Sequence, residues 1–355
     1  MPCPPCAPPA QHPALSAPPP PCPPCLYSCT GSPQAARGQG APLPSLPDID
    51  AGATSLAFAL GGYSGTLPTA WSALTNLQLL YLYGNDLTGT LPPEWGGMSQ
   101  LQGLWLGDNS LNGTLPPAWA NMSQLQMLWI YNNPDLTGAL PPSWANMSNL
   151  QTLGLHDDAL TGTLPPQWSG LSQLQLLWLF SNRLSGALPP AWSGLTQMSE
   201  LGLYGNALNG TLPPAWSDMS QLQGLWLHSN KLVGGLPPAW SGLMQLSTLW
   251  LSFNSLTGML PPEWSSLLRL QVLELSYNTL TGQVPPTWSS LTHLQQLYLF
   301  SNPGLCGSVP AVALGDALTG RGGFNATDGT QLGQACSNSM ANTTTAPPPG
   351  KQPAA

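Results

Sequence analysis

Between Leu67 and Ser308 the apolar positions obey one rule. Leucine recurs as Leu-x-x-Leu-x-Leu-x-x-Asn-x-Leu, for example at Leu222, Leu225, Leu227, Asn230 and Leu232, and polar, small or aromatic residues fill the gaps. The Leu-x-Leu alternation predicts a short strand with leucine pointing inward and its neighbours outward. Asparagine then marks a tight turn, and a Pro-bounded stretch holding one helical or 3₁₀ turn carries the chain back. The unit opens with Leu-Pro-Pro-x-Trp or a close variant at Leu67, Leu91, Leu115, Leu140, Leu164, Leu188, Leu212, Leu236, Leu260 and Val284. Its period, Leu212 to Leu236 for example, is 24 residues; the copies from Leu115 and Val284 carry one residue more, just after Asn133 and Asn302.

A period of roughly 20 to 29 residues with this leucine spacing marks a leucine-rich repeat solenoid. The expected fold is an α/β repeat, a right-handed solenoid curved like a horseshoe, with short parallel strands on its concave face. The copy LPPAWSDMSQLQGLWLHSNKLVGG (212–235) resembles the plant-type subclass, whose consensus ends in LxGxIPxxLxxL. That subclass occurs in receptor-like proteins, receptor-like kinase ectodomains and secreted inhibitors of the polygalacturonase-inhibitor type, so the resemblance implies a binding role, with signalling as its receptor form. Two features depart from it: tryptophan replaces the aliphatic residue after the proline pair, and the paired-Cys cap before the first repeat is missing.

Several columns follow from the period. Inward leucines fill the core. Asn85, Asn109, Asn133, Asn182, Asn206, Asn230, Asn254, Asn278 and Asn302 should be buried with their amides bridging successive turns, because an amide both donates and accepts. Asp158 interrupts this column, and an ionised carboxylate cannot donate, so its repeat should be the weak turn. The tryptophans from Trp71 to Trp288 take the place of a buried aliphatic and are expected in the core.

Around the repeats the chain divides into a disordered Pro/Cys-rich arm (1–52), the solenoid (53–308, a cap strand plus ten repeats), a C-terminal cap (309–341) and a Thr/Pro-rich tail (342–355). In the arm, Cys3-Pro-Pro-Cys6 and Cys22-Pro-Pro-Cys25 match a zinc spacing formally, but prolines between the cysteines remove the supporting amides. Together with Cys29 they make an odd set, which favours intermolecular bridges or unpaired thiols, and no metal is expected. The stretch SNPGLCGSVP resembles the end of plant receptor ectodomains, where such a sequence opens a disulfide-closed cap; the resemblance implies that Cys306 pairs with Cys336.

Charged residues make up only 6% of the chain, six of them Lys or Arg, and the net charge is −8. This argues against nucleic acid as a partner, and no apolar run is long enough for a transmembrane helix. Asn112, Asn121, Asn146, Asn209, Asn325 and Asn342 head Asn-x-Ser/Thr sequons, which favour an extracellular or cell-surface glycoprotein. The N-terminus shows no signal peptide, so a cytoplasmic, cytoskeletal or axonemal location stays open. No HExxH, GxSxG, GxxxxGK or GxGxxG pattern appears, and His156 beside Asp157 and Asp158 has no nucleophile, so neither enzyme activity nor a cofactor is expected.

The candidate chemistry lies in the outward strand positions. One column reads Tyr81, Trp105, Trp129, Gly154, Trp178, Gly202, Trp226, Trp250, Glu274 and Tyr298; the next includes Tyr83, Tyr131, His156, Phe180, Tyr204, His228 and Phe300. The aromatic members are the candidate ligand contacts, because an exposed aromatic patch commonly marks an interaction site. Gly154 and Gly202 would leave slots beside Trp178, the expected hot spot. A protein or peptide is the first expected ligand. Cell-wall polysaccharide, stacked on flat rings, is the alternative, and a purely structural scaffold with a self-stacked ladder is the third reading.

Overall fold

The structure, a computed structural model, describes residues 40–309 and 329–336. Eleven three-residue strands, from Ser55–Ala57 to Gln296–Tyr298, form one parallel sheet in chain order. They pair leucine on leucine: Leu80 lies opposite Leu104, Leu104 opposite Leu128, and so on to Leu273 opposite Leu297. These leucines are buried, each contributing about 1.5–3 kcal/mol.

The return segments are 3₁₀ turns such as Pro93–Gly97 and Pro262–Ser266; no α-helix occurs among the described residues, so the α part of the expected α/β repeat is a 3₁₀ turn. Proline at the start presets φ, but five residues are too few to propagate an α-helix. Every turn buries its tryptophan, Trp71 through Trp288. Neighbouring rings stack with centroids 6.2–6.5 Å apart and planes within 4–9°. Each indole also has a partner: Trp119 Nε1 donates to the Pro92 carbonyl at 2.8 Å and Trp168 Nε1 to Pro141 at 3.0 Å. A large ring can therefore replace the aliphatic residue without burying an unpaired donor.

Beyond the asparagine turns the chain forms a second series of short parallel strands, Asp86–Thr90 beside Ser110–Thr114 for instance, reduced to isolated bridges at Thr161 and Thr163 in one repeat. Its glycine is required: Gly89 has φ 77°, and a Cβ there would sit 2.8 Å from Thr66 Cγ2.

The asparagine column bridges successive turns as expected, although Asn206, Asn230 and Asn254 are half-buried rather than buried. Asn109 Oδ1 accepts the Leu87 N–H at 3.1 Å, and its Nδ2 donates to the Leu82 and Leu106 carbonyls at 3.0 and 3.1 Å. Asp158 behaves otherwise. The residue inserted after Asn133 shifts the chain so that Asp158 Oδ1 accepts the Asn133 N–H at 2.8 Å, while Oδ2 is buried without a partner in the chain. Burial pushes this carboxyl up to about 8. The expectation of an ionised group is corrected: Asp158 is held largely protonated at neutral pH.

Both ends of the solenoid are covered. Residues 40–52, assigned from sequence to the arm, pack against the first repeat: Ser64 N–H donates to the Ala41 carbonyl, Leu43 is buried, and the Pro44 carbonyl accepts Trp71 Nε1 at 3.2 Å. At the other end Cys306 and Cys336 form a disulfide with Cα atoms 5.1 Å apart, and Gly304–Gly307 pairs with Gln331–Leu332. The Cys-Pro-Pro-Cys pairs, Cys29, Asn325, Asn342, most of the 309–341 cap and the tail lie outside the described residues.

Candidate functional site

Alternation along each strand turns the residue after each inward leucine away from the core. All fourteen predicted aromatic and histidine residues occupy this face, but the solvent-facing aromatic sheet expected from the sequence is corrected. Trp129, Trp178, Phe180, Trp250 and Phe300 are buried, and the other nine are half-buried. The reason is ring stacking at the strand spacing. Tyr131, His156, Phe180, Tyr204 and His228 form one continuous stack, with successive centroids 4.8, 4.3, 4.4 and 4.4 Å apart. Tyr81 and Trp105 stack separately at 4.4 Å.

The slot expected at Gly154 is filled. The Trp129 ring leans over that glycine, so that an added Cβ would lie 2.2 Å from its Cε3, and it meets Trp178 edge-on at 5.3 Å. At Gly202 an added Cβ would touch Trp178 and Phe180 at 3.3 and 3.4 Å. Trp178, the expected hot spot, is only 6% exposed.

The polar groups of this face were largely missed. Glu200 and Glu274 are the only acidic residues in the eleven strand triplets, a signal visible in the sequence. Burial raises the Glu200 carboxyl, opposed by a hydrogen bond from Trp178, and pushes Glu274 up to about 7, opposed by hydrogen bonds from Ser276. Tyr131 is raised by burial and by Asp108, Tyr204 by burial and Asp157. Burial lowers His228 to about 4. His156 Nδ1 lies 2.8 Å from Asp157 Oδ2. The described cations sit elsewhere: Arg183 and Lys231 follow the turn residues Asn182 and Asn230, and Arg269 pairs with Gln245 on the return segment. The face is thus aromatic and acidic, with no Lys or Arg in its columns.

Comparison with known proteins agrees with this geometry. The leucine-rich repeat family patterns match residues 76–98, 100–122, 173–195 and 221–243, and a two-repeat form matches 244–303. Among solved structures, the ectodomain of the Arabidopsis thaliana membrane receptor kinase GASSHO1/SCHENGEN3, in complex with CASPARIAN STRIP INTEGRITY FACTOR 2, shares 36% identity over 70% of this chain and 30% of its own, with a TM-score of 0.68. A TDR receptor shares 31% identity over 73% of this chain and 45% of its own, with a TM-score of 0.71. The Arabidopsis receptor kinase HAESA ectodomain, in complex with an N-terminally extended IDA peptide hormone, shares 27% over 79% and 50%, with a TM-score of 0.68. The chain spans half or less of these ectodomains. No curated protein sequence matches it. Fold and repeat pattern define the class: this is a leucine-rich repeat solenoid. Within that class, its repeats are of the plant type, like those of the plant receptor ectodomains it is similar to.

Proposed function

We propose that this chain is a non-enzymatic recognition module that holds an extended peptide along the eleven-stranded sheet, outside the cell. The observation that carries the reading is the composition of the sheet's outward columns. Nine half-buried rings, among them Trp105, Trp226 and Tyr204, present edges and hydroxyls beside Glu200, Asp108 and Asp157 on the face turned away from the leucine core. Rings that lose little conformational freedom on contact are the usual anchors of a bound chain. One of the similar ectodomains carries a peptide hormone in its structure and another carries CASPARIAN STRIP INTEGRITY FACTOR 2, which supports a receptor-like or secreted inhibitor-like role.

The disulfide and the sequons support an extracellular location. Asn112, Asn121, Asn146 and Asn209 are exposed and lie outside the strands of the large sheet, so glycans there would leave its face open. No helix of the described residues is long and apolar enough to cross a membrane.

The continuous ring stack favours a second reading, a structural scaffold, and one experiment separates the two. Peptide and glycan arrays are probed with the wild type and with Trp226→Ala. The proposal expects peptides to bind and the variant to lose them at an unchanged melting temperature. Binding only to glycans, or peptide binding indifferent to Trp226, would overturn it.

A further inference from the structure

Two neighbouring repeats depart from the stacking rule. In the column that carries Tyr131, His156, Phe180, Tyr204 and His228, the next two positions are serines, Ser252 and Ser276, and the rings move one residue on, to Phe253 and Tyr277. That position has left-handed backbone, with φ 53° and 52°. The other full repeats place Gly, Asn, Asp or Ser there, because a bulky side chain at positive φ is strained. Phe253 and Tyr277 stack at 4.2 Å and are 37% and 40% exposed. Tyr277 then meets Phe300 edge-on at 5.2 Å, where the ring row returns to its column.

The sidestep encloses a polar break. Ser252, Ser276 and Glu274 have no exposed surface. Glu274 Oε1 accepts the Ser276 N–H at 3.0 Å and the Ser276 hydroxyl, but Glu274 Oε2 has no partner in the chain. Neither have Ser252 Oγ, Trp250 Nε1 and His228 Nδ1. Trp250 and Glu274 are register partners on adjacent strands, and the His228 and Trp250 rings are 5.2 Å apart. Four unpaired polar atoms therefore lie on three consecutive repeats. Each such atom has lost its water without gaining a partner in the chain, and strain beside unmet polar groups is typical of a binding site. No Lys or Arg among the described residues pairs with Glu274.

We propose that this break seats one positively charged side chain, best an arginine, of the peptide held along the sheet. The inference rests on the peptide reading above. A guanidinium offers five donors in a fork, enough to meet Glu274 Oε2 and Ser252 Oγ together, and its flat faces suit the rings of Trp250, Phe253 and Tyr277. Trp250 Nε1, a donor, is left for a backbone carbonyl of the same peptide. His228 stays neutral because burial holds it at about 4, so it does not repel the guest. Since Glu274 is covered, the guest reaches it only when a neighbouring side chain turns aside.

The test selects short random linear peptides on the full chain and resynthesises the enriched ones with each arginine or lysine replaced by citrulline or norleucine. The expected result is one cationic position shared by the binders, whose neutralisation weakens binding at least about tenfold. Glu274→Gln should bring the charged and neutral peptides to equal affinity. Ser252→Val, a second variant that fills the break from the adjacent strand, should do the same if Glu274→Gln folds poorly. Binders without a shared cationic position, or a tenfold difference that survives both variants, would overturn the subsite while leaving the peptide reading intact. Failure to enrich any peptide would remove both.

Discussion

Asp158→Asn should flatten the pH dependence of stability, and the sign can be worked from the structure. In the unfolded chain the carboxyl titrates at its ordinary value of 3.8, while burial raises it to about 8 in the folded chain. Between these values the folded state keeps a proton that the unfolded state has lost. Stability from this group is therefore fully present below about pH 4, falls as pH rises, and levels off above about pH 8. The slope is about 1.4 kcal/mol per pH unit, so raising pH from 5 to 7 should cost the wild type about 3 kcal/mol through Asp158 alone. Glu274 acts in the same direction, and Glu200 shares its sign. His228, lowered to about 4, acts oppositely below its unfolded value of 6.5. Comparing wild type with the variant cancels these common contributions. Asparagine can accept the Asn133 N–H and donate to a carbonyl at any pH, as other members of its column do. Urea unfolding followed by tryptophan fluorescence at pH 5 and pH 7 measures the difference. The variant should gain about 3 kcal/mol over wild type at pH 7 and little at pH 5. Parallel losses in both proteins would refute the protonated carboxyl.

Three further outcomes check the packing. Reducing Cys306–Cys336 should raise hydrogen exchange in residues 280–309 and leave the central repeats protected, since a terminal repeat needs sealing. Gly154→Val should destabilise by about 1–3 kcal/mol in thermal melting, because its Cβ would strike the Trp129 ring, whereas Gly202→Ala, with its contacts at 3.3–3.4 Å, should change the midpoint much less. Trp168→Phe should cost about 1–3 kcal/mol, because it strands the Pro141 carbonyl in the core; an unchanged midpoint would mean that the indole hydrogen bond is not a fixed part of the ladder.

What could be read from the sequence was everything that repeats. Period, strand register, the asparagine bridges and the buried tryptophan column all depend on which side of the chain a residue leaves, and alternation decides that. The free face was harder, because alternation gives a side chain's side but not its lean. Gly154 looked like a gap, yet a glycine beside a large ring is also where that ring can lie down, and Trp129 does so. Asp158 looked ionised because its column position said nothing of the inserted residue that redirects its partner. Glu200, Ser252 and Ser276 could not be singled out because their interest lies in unmet or shifted hydrogen bonding, which depends on the lean of neighbouring side chains. The packing of residues 40–52 was invisible in a Pro-rich composition, although Leu43 and the Pro44 carbonyl supply what a preceding repeat would have supplied.

The most direct test of the functional account is a hydrogen-exchange footprint of the full chain with and without a peptide selected on it. The account predicts new protection in the strands from Gly224–Trp226 to Gln296–Tyr298 and in the turns at Phe253 and Tyr277, with the 3₁₀ segments unchanged. Protection confined to the 3₁₀ segments or to the lateral strands would contradict it, and would return the aromatic columns of the large sheet to a purely structural role.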